Sequence, residues 1–301
     1  MLTCASTMAM PMPAIHDEEG PRVAPHLPFV VDAHVHLFPE RVFNAIWRWF
    51  EQFGWPIRYR LVSPGVLEFL LSRGVGHVVA LTYAHKPGLA RLMNVHMVET
   101  CGGNPRVTAL GTVLPGEPDA RAIVEDAFAM GLHGIKLHCH VQCFSPDARE
   151  MAEIYETCSK HDKPLVMHAG REPTSSGYRC DPHALCSADR VEHVLRNFPK
   201  LRLCVPHLGA DEFDAYERLL ERFDNLWLDT TMMLADYFHL NVPPRILQVR
   251  PDRIMYGSDF PNLPYAWDRE LARIERCGLS TEALERLLGT NARAFFGVSE
   301  T

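Results

Sequence analysis

From Phe29 onward, short apolar runs rich in β-branched residues alternate with longer segments whose apolar residues recur every three or four positions. That alternation is the signature of βα units around a parallel sheet. Eight such runs occur: FVVDAHVHLF from Phe29, HVVALTY from His77, VTALGTVLP from Val107, GIKLHCH from Gly134, PLVMHAG from Pro164, LRLCVPHLG from Leu201, NLWLDTTMM from Asn225 and RIMYGSDFP from Arg253. Eight strands predict a closed (β/α)8 TIM barrel. The competing open doubly wound sheet is disfavoured because no glycine-rich, phosphate-cradling turn follows the first run. Between the runs, DARAIVEDAFAMG reads as a helix capped at Asp119 and closed at Gly131, and SADRVEHVLRNFP as one opened at Ser187 and stopped before Pro199.

The first unit is extended, with FNAIWRWFEQFGWPIRYR and VLEFLLSRG between the first and second runs. Residues 43–60 hold three of the five tryptophans. An outer helix packing its aromatics on the barrel is the preferred reading, ahead of a cap over the mouth; exposed tryptophans here would equally suit a subunit interface. Residues 1–27, rich in Met, Pro and Ala, carry no Lys or Arg before Arg22 and no continuous apolar core. They read as a flexible tail rather than a signal peptide, with a single domain over 28–301. A barrel of roughly 250 residues folds as one unit, so 301 residues need no second domain.

Composition narrows the partners. A formal charge of -7 with 22% charged residues offers no basic stripe for nucleic acid or anionic membrane. Apolar runs such as Leu67 to Leu71 fall far short of a bilayer span. A small-molecule substrate is expected. Nine cysteines, without a CxxC pair, suit reduced thiols and a cytoplasmic setting.

Candidate chemistry gathers at the ends of the runs. His34 and His36 stand two apart on one strand and therefore share a face, as two imidazoles holding one ion must. His168, His207 and Asp259 end the fifth, sixth and eighth runs, at the rim where parallel barrels place catalytic groups. Imidazoles with a carboxylate form a ligand set for zinc and similar divalent ions.

With VDAHVHLF, PLVMHAG, VPHLG, YGSDFP and the closing TNARAFFG in this order, the chain resembles the amidohydrolase superfamily from Phe29 to Gly297. Within it, the resemblance is to the amidohydrolase 2 group, related to aminocarboxymuconate semialdehyde decarboxylase. The resemblance implies one divalent metal on His34, His36, His168 and Asp259, with His207 at or beside it. Zinc is the default, with manganese, iron or cobalt as alternatives. It implies Asp259 and His207 as the catalytic pair, Asp259 moving a proton and His207 polarising substrate. A homodimer is also a family-level expectation.

Lys136, His138 and His140 share parity on the fourth strand. In some superfamily members a carbamylated lysine on this strand bridges two metals, so these three are candidates for a second metal or for substrate contact. Arg171, Tyr178, Arg179 and His85 are candidate substrate contacts, the arginines offering planar forks for a carboxylate. Asp229 is a candidate for orienting a ligand histidine. The remaining histidines, including His77, His96 and His239, read as structural. The leading functional expectation is hydrolysis of an amide, lactone or ester bond in a small carboxylated molecule. The alternatives are decarboxylation or hydration of an unsaturated or aromatic acid, and an inactive ligand-binding barrel.

Overall fold

The computed structural model describes residues 15–238 and 240–298. Eight parallel strands follow one another in chain order: β1 Val31–His36, β2 His77–Leu81, β3 Val107–Ala109, β4 Ile135–His138, β5 Leu165–His168, β6 Leu203–Val205, β7 Leu226–Asp229 and β8 Ile254–Met255. Ladders join β1 to β3 and β4 to β8. Two bridges, Gly111 to Ile135 and Val35 to Phe260, close the ring. Each expected run contains one strand, and the eightfold barrel stands as read from the sequence. The strands are shorter than the runs because the residues after each strand leave the ladder to build the mouth.

The β1–β2 register slips between Asp32 and Val35, placing an extra residue in β1 beside His34. Such a bulge re-aims side chains next to a site. The outer helices bury one stripe each; Ala188–Asn197, for example, buries Ala188, Val191, Val194 and Leu195. Ser187 holds its cap position without a side-chain bond. The Glu212 carboxylate accepts the Ala188 N–H instead, at 2.9 Å, so a distant residue satisfies the helix start. Asp119 likewise caps by position alone. The closing helix Asn291–Phe296 packs Phe295 and Phe296 in one cluster with Val31, Val79, Val166, Cys204 and Met255. Asn291 Nδ2 donates to the carbonyls of Pro251 and Ile254, both at 2.7 Å, which fastens this helix to β8.

The extended first unit forms two helices, α1 Glu40–Phe53 and α2 Ser63–Ser72. Its tryptophans are not exposed. Trp47 and Trp55 are buried, Trp47 stacking on Phe43 at 5.4 Å and Trp55 Nε1 donating to the Asn262 carbonyl at 2.8 Å. Of the expected tail, residues 1–14 lie outside the described residues, as does His239. Residues 15–27 form no helix or strand but are tied down at several points. Arg269 Nη1 meets Asp17 Oδ2 at 2.8 Å, Arg58 Nη2 meets Glu19 Oε2 at 3.0 Å, and the Val23 N–H reaches the Arg73 carbonyl at 2.7 Å. Among the described residues no helix is long and apolar enough to cross a membrane.

Candidate metal centre and its cavity

His34 and His36 leave β1 toward the mouth and meet Asp259, their ligand atoms all lying within 4.8 Å of one another. Asp259 Oδ1 stands 3.1 Å from His36 Nε2 and 3.4 Å from His34 Nε2. Asp259 sits four residues beyond the end of β8, and His207 two residues beyond β6. Both were expected at strand ends; instead both occupy left-handed backbone, φ 73° and 58°. For non-glycine residues that conformation is held only by surrounding bonds. The His34 carbonyl accepts the Asp259 N–H at 2.9 Å, and Asp229 Oδ1 accepts the His207 N–H at 3.0 Å.

Asp229 fulfils its expected supporting role. Its Oδ2 accepts from His34 Nδ1 at 2.9 Å, which fixes the ring proton on Nδ1 and leaves the Nε2 lone pair turned toward Asp259. A carboxylate behind a histidine in this way is the usual support of a metal-ligating imidazole. Asp32, not singled out in the sequence, completes the frame. It accepts from Ser258 Oγ at 2.6 Å and from the N–H groups of Ser258 and His34. Gly257 belongs to the same frame, since a Cβ there would fall 2.4 Å from Thr231 Oγ1 and 2.7 Å from His34 Cβ. The donor set of two imidazoles and a carboxylate fits a divalent ion of the zinc or manganese kind.

His207 has both ring nitrogens engaged. The Thr231 carbonyl, 2.9 Å from Nδ1, can only accept, so the proton lies on Nδ1. Nε2 then accepts from His168 Nδ1 at 3.1 Å. The bonds that complete this relay leave His168 Nε2 buried without a hydrogen-bond partner. His207 therefore orients His168 rather than facing the cavity. His168, expected with His34, His36 and Asp259, falls in a second set with His138 and His140, one ring nitrogen of each lying within 4.8 Å of the others. Strand parity does not carry His140 there: β4 ends at His138, and a single helical turn, Cys139–Gln142, folds His140 back beside it.

Lys136 is fully buried and reaches the centre, its Nζ 3.4 Å from His34 Nε2. Burial lowers its pKa to about 8, against the opposing pull of Asp229 and Asp259. Burial also raises Asp259, but the bond from His36 and the neighbouring histidines outweigh it and hold the carboxyl at about 2. Burial keeps His138 and His168 neutral, well below the ordinary imidazole range. Neutral imidazoles and an ionised carboxylate are the protonation states that bind metal.

A cavity of about 380 Å³ opens above His138 and His140. Val42, Ala45, Ile46, Trp49 and Phe50 of α1 form one wall, and Tyr83, Tyr178, His85, Lys86 and Arg179 the rest. The mouth-capping role of residues 43–60, the less favoured reading, is therefore the one their geometry shows, alongside core packing. Trp49 stacks on Tyr178 at 5.0 Å, and its Nε1 donates to the Gly177 carbonyl at 3.2 Å. Tyr178 in turn lies 4.5 Å from His140. Of the expected substrate contacts, Tyr178, Arg179 and His85 line the cavity. Arg171 does not: its Nε pairs with Glu212 Oε2 at 3.1 Å, so the glutamate that caps a helix also occupies this arginine. Trp49, Tyr83 and Lys86 were missed. Trp49 meets its cavity partners Gly177 and Tyr178 more than a hundred residues away, which periodicity does not record.

A sequence model of the family described as amidohydrolase matches residues 31–298. No curated protein matches the chain. Among solved structures, an uncharacterized TIM-barrel protein from Bordetella bronchiseptica is similar with a TM-score of 0.68 at 17% identity, covering 89% of this chain and 98% of that one. A 5-carboxyvanillate decarboxylase from Novosphingobium aromaticivorans, solved with bound manganese, gives 0.65 at 16% identity over 92% and 99% of the two chains. A probable 2-pyrone-4,6-dicarboxylic acid hydrolase from Acinetobacter baumannii gives 0.58 at 10% identity over 89% and 99%.

Proposed function

The chain belongs to this amidohydrolase family, and from that premise we propose that it is a metal-dependent hydrolase of a small, planar, carboxylated substrate, cleaving an amide, lactone or ester bond. The observation that carries the reading is the Asp259 carboxylate held between His36 Nε2 and His34 Nε2 at the barrel mouth. His34, His36 and Asp259 would hold the ion. When bound, it supplies Lewis acidity, which polarises a carbonyl and acidifies water.

The chain's own groups do the rest. Asp229 locks the His34 tautomer, and the bulge in β1 aims the ring. Asp259, ionised, takes a proton from the attacking water on its carboxylate and returns it to the leaving oxygen or nitrogen. Trp49, Tyr83 and Tyr178 provide apolar faces against which a flat ring stacks, and Arg179 and Lys86 stand at the wall for an anionic substituent.

The same aromatic walls favour a second reading, decarboxylation of an aromatic or unsaturated acid. There the carboxylate leaves as carbon dioxide and the ring carbon takes a proton. The solved decarboxylase in manganese-bound form is consistent with that chemistry on this fold. The test is a panel of lactone, ester and aromatic carboxylates with manganese- and zinc-loaded protein, following hydrolysis product and carbon dioxide separately. Hydrolytic turnover lost in Asp259→Asn supports the first reading. Carbon dioxide release without hydrolysis replaces it with the second.

A further inference from the structure

Four of the eight described cysteines, Cys139, Cys143, Cys180 and Cys186, gather round the single helical turn that carries His140. Two of them come from separate segments and share one acceptor: the His140 carbonyl takes the Cys180 thiol at 3.1 Å and the Cys143 thiol at 3.7 Å. The two thiols are also within hydrogen-bond reach of each other. Cys143 is aimed by the backbone, since it ends the turn in a left-handed conformation, φ 58°, with its N–H bonded to the Cys139 carbonyl. Cys180 is delivered by the loop around 171–181. That loop is seated on the turn by Arg179 Nη2, which donates to the Val141 carbonyl at 3.1 Å, and by Tyr178, 4.5 Å from His140. Cys143 is exposed and Cys180 half-buried, whereas Cys139 and Cys186 are fully buried.

We propose that Cys143 and Cys180 form a reversible disulfide site, closed by hydrogen peroxide and reopened by a dithiol reductant. An accessible thiol beside a second one that resolves it is the arrangement of redox-responsive cysteines. Cys143, the more exposed, reacts first. Its sulfur attacks one peroxide oxygen, the O–O bond breaks, and the other oxygen leaves as water with the thiol proton, so that Cys143 becomes a sulfenic acid. The Cys180 sulfur then attacks the Cys143 sulfur, the S–O bond breaks, and a second water leaves with the Cys180 proton. The two sulfurs together lose two electrons and the peroxide gains them. The bond joins the turn that carries His140 to the loop that carries Tyr178 and Arg179, so closing it pins that loop as a wall of the cavity. A slower exchange of ligand through that wall rests on the proposed function; the disulfide does not.

The test treats the full-length protein with hydrogen peroxide, alkylates the remaining thiols with iodoacetamide in denaturant, and maps unreduced peptides by mass spectrometry, with fragmentation to place any link. Wild type should yield a pair of peptides joined through Cys143 and Cys180, lighter by two hydrogens than their sum and separated by dithiothreitol. Cys180→Ser should instead leave Cys143 as a sulfenic acid that dimedone captures. Brief trypsin digestion of the native protein reads the loop: cleavage after Arg179 should slow several-fold on oxidation, recover with dithiothreitol, and show no such change in Cys143→Ser. A wild type in which Cys143 stays a free thiol, or passes to the sulfinic acid, without a link to Cys180 overturns the proposal. So does a link from Cys180 to Cys186. A Cys143–Cys180 link that leaves the trypsin rate unchanged supports the disulfide and overturns its hold on the loop. The wild-type peptide map decides the bond even if a serine variant fails to fold, and none of these readouts depends on enzymatic turnover.

Discussion

The Asp229 carboxylate stands 2.9 Å from His34 Nδ1 on one oxygen and 3.0 Å from the His207 backbone N–H on the other. One side chain at the end of β7 thus fixes the tautomer of the candidate ligand His34 on β1 and the left-handed turn after β6. Asp229→Asn keeps the size but presents an amide to a ring nitrogen that needs an acceptor. Metal affinity should fall by about 10–100-fold, measured by competition with a chromogenic chelator. Unchanged affinity would mean that His34 is oriented by something else.

Arg171 and Arg179 lie in the same loop with opposite prospects. Arg179→Ala removes a cation from the cavity wall and should raise KM for a carboxylated substrate by about 10-fold or more with little change in kcat. Arg171→Ala breaks a partly buried pair with Glu212 and should cost about 1 kcal/mol of stability while leaving KM alone. Reversal of the two KM effects would move the carboxylate site to Arg171.

Trp49→Ala removes the stack on Tyr178 and the bond to Gly177 together. The loop around 171–181 should become sensitive to limited proteolysis, and KM should rise, because the aromatic pair alone is worth about 0.5–1.5 kcal/mol beyond its buried area. A loop as resistant as in wild type would show that it holds its position without α1.

Glu270 is fully buried and its Oε2 accepts the Met232 N–H at 2.7 Å. Burial raises its pKa from 4.5 to about 8, further than its hydrogen bonds lower it. The native state therefore holds a proton that the unfolded chain has released between these two values. Its stabilising contribution is complete below 4.5 and is lost as pH rises toward 8. In Glu270→Gln, denaturant midpoints across pH 5–8 should depend less on pH than in wild type; an equally steep dependence would exclude Glu270 as its source.

Metal removal should lower Tm. An ion bound only by the native chain stabilises by about 4 kcal/mol at a free concentration one thousand times Kd, so dialysis against chelator should shift the melting curve down and readdition restore it. The shift should vanish in His34→Ala/His36→Ala, which lacks two of the three candidate ligands.

The barrel was legible because parallel strands buried on both faces leave contiguous apolar runs, and eight are present. The positions of His34, His36 and His168 at the ends of β1 and β5 were legible because a loop signal follows each run, whereas Asp259 lies four residues past β8. Parity served less well once the chain left the strand: His140 arrived through a helical turn, and His207 turned away from the cavity to bond Thr231 and His168. The α1 wall and the Arg171–Glu212 pair were not legible at all. Both depend on contacts between segments far apart in the chain, which periodicity does not record. The two readings of residues 43–60 proved compatible, since Trp47 and Trp49, two positions apart, serve the core and the cavity respectively.

The clasp between Asp17 and Arg269 joins positions 252 residues apart. During synthesis Asp17 emerges early, yet its guanidinium partner exists only after β8 is complete. Loop-closure entropy makes such a contact a late one in folding. The same stretch reaches the centre indirectly: Glu19 accepts from the Tyr59 hydroxyl, Tyr59 packs on Phe260 at 4.9 Å, and Phe260 follows Asp259. The Asp259 carboxylate thus gains its final support only when segments from both halves of the barrel have met, so a nascent barrel that is almost whole would still lack a settled candidate metal centre.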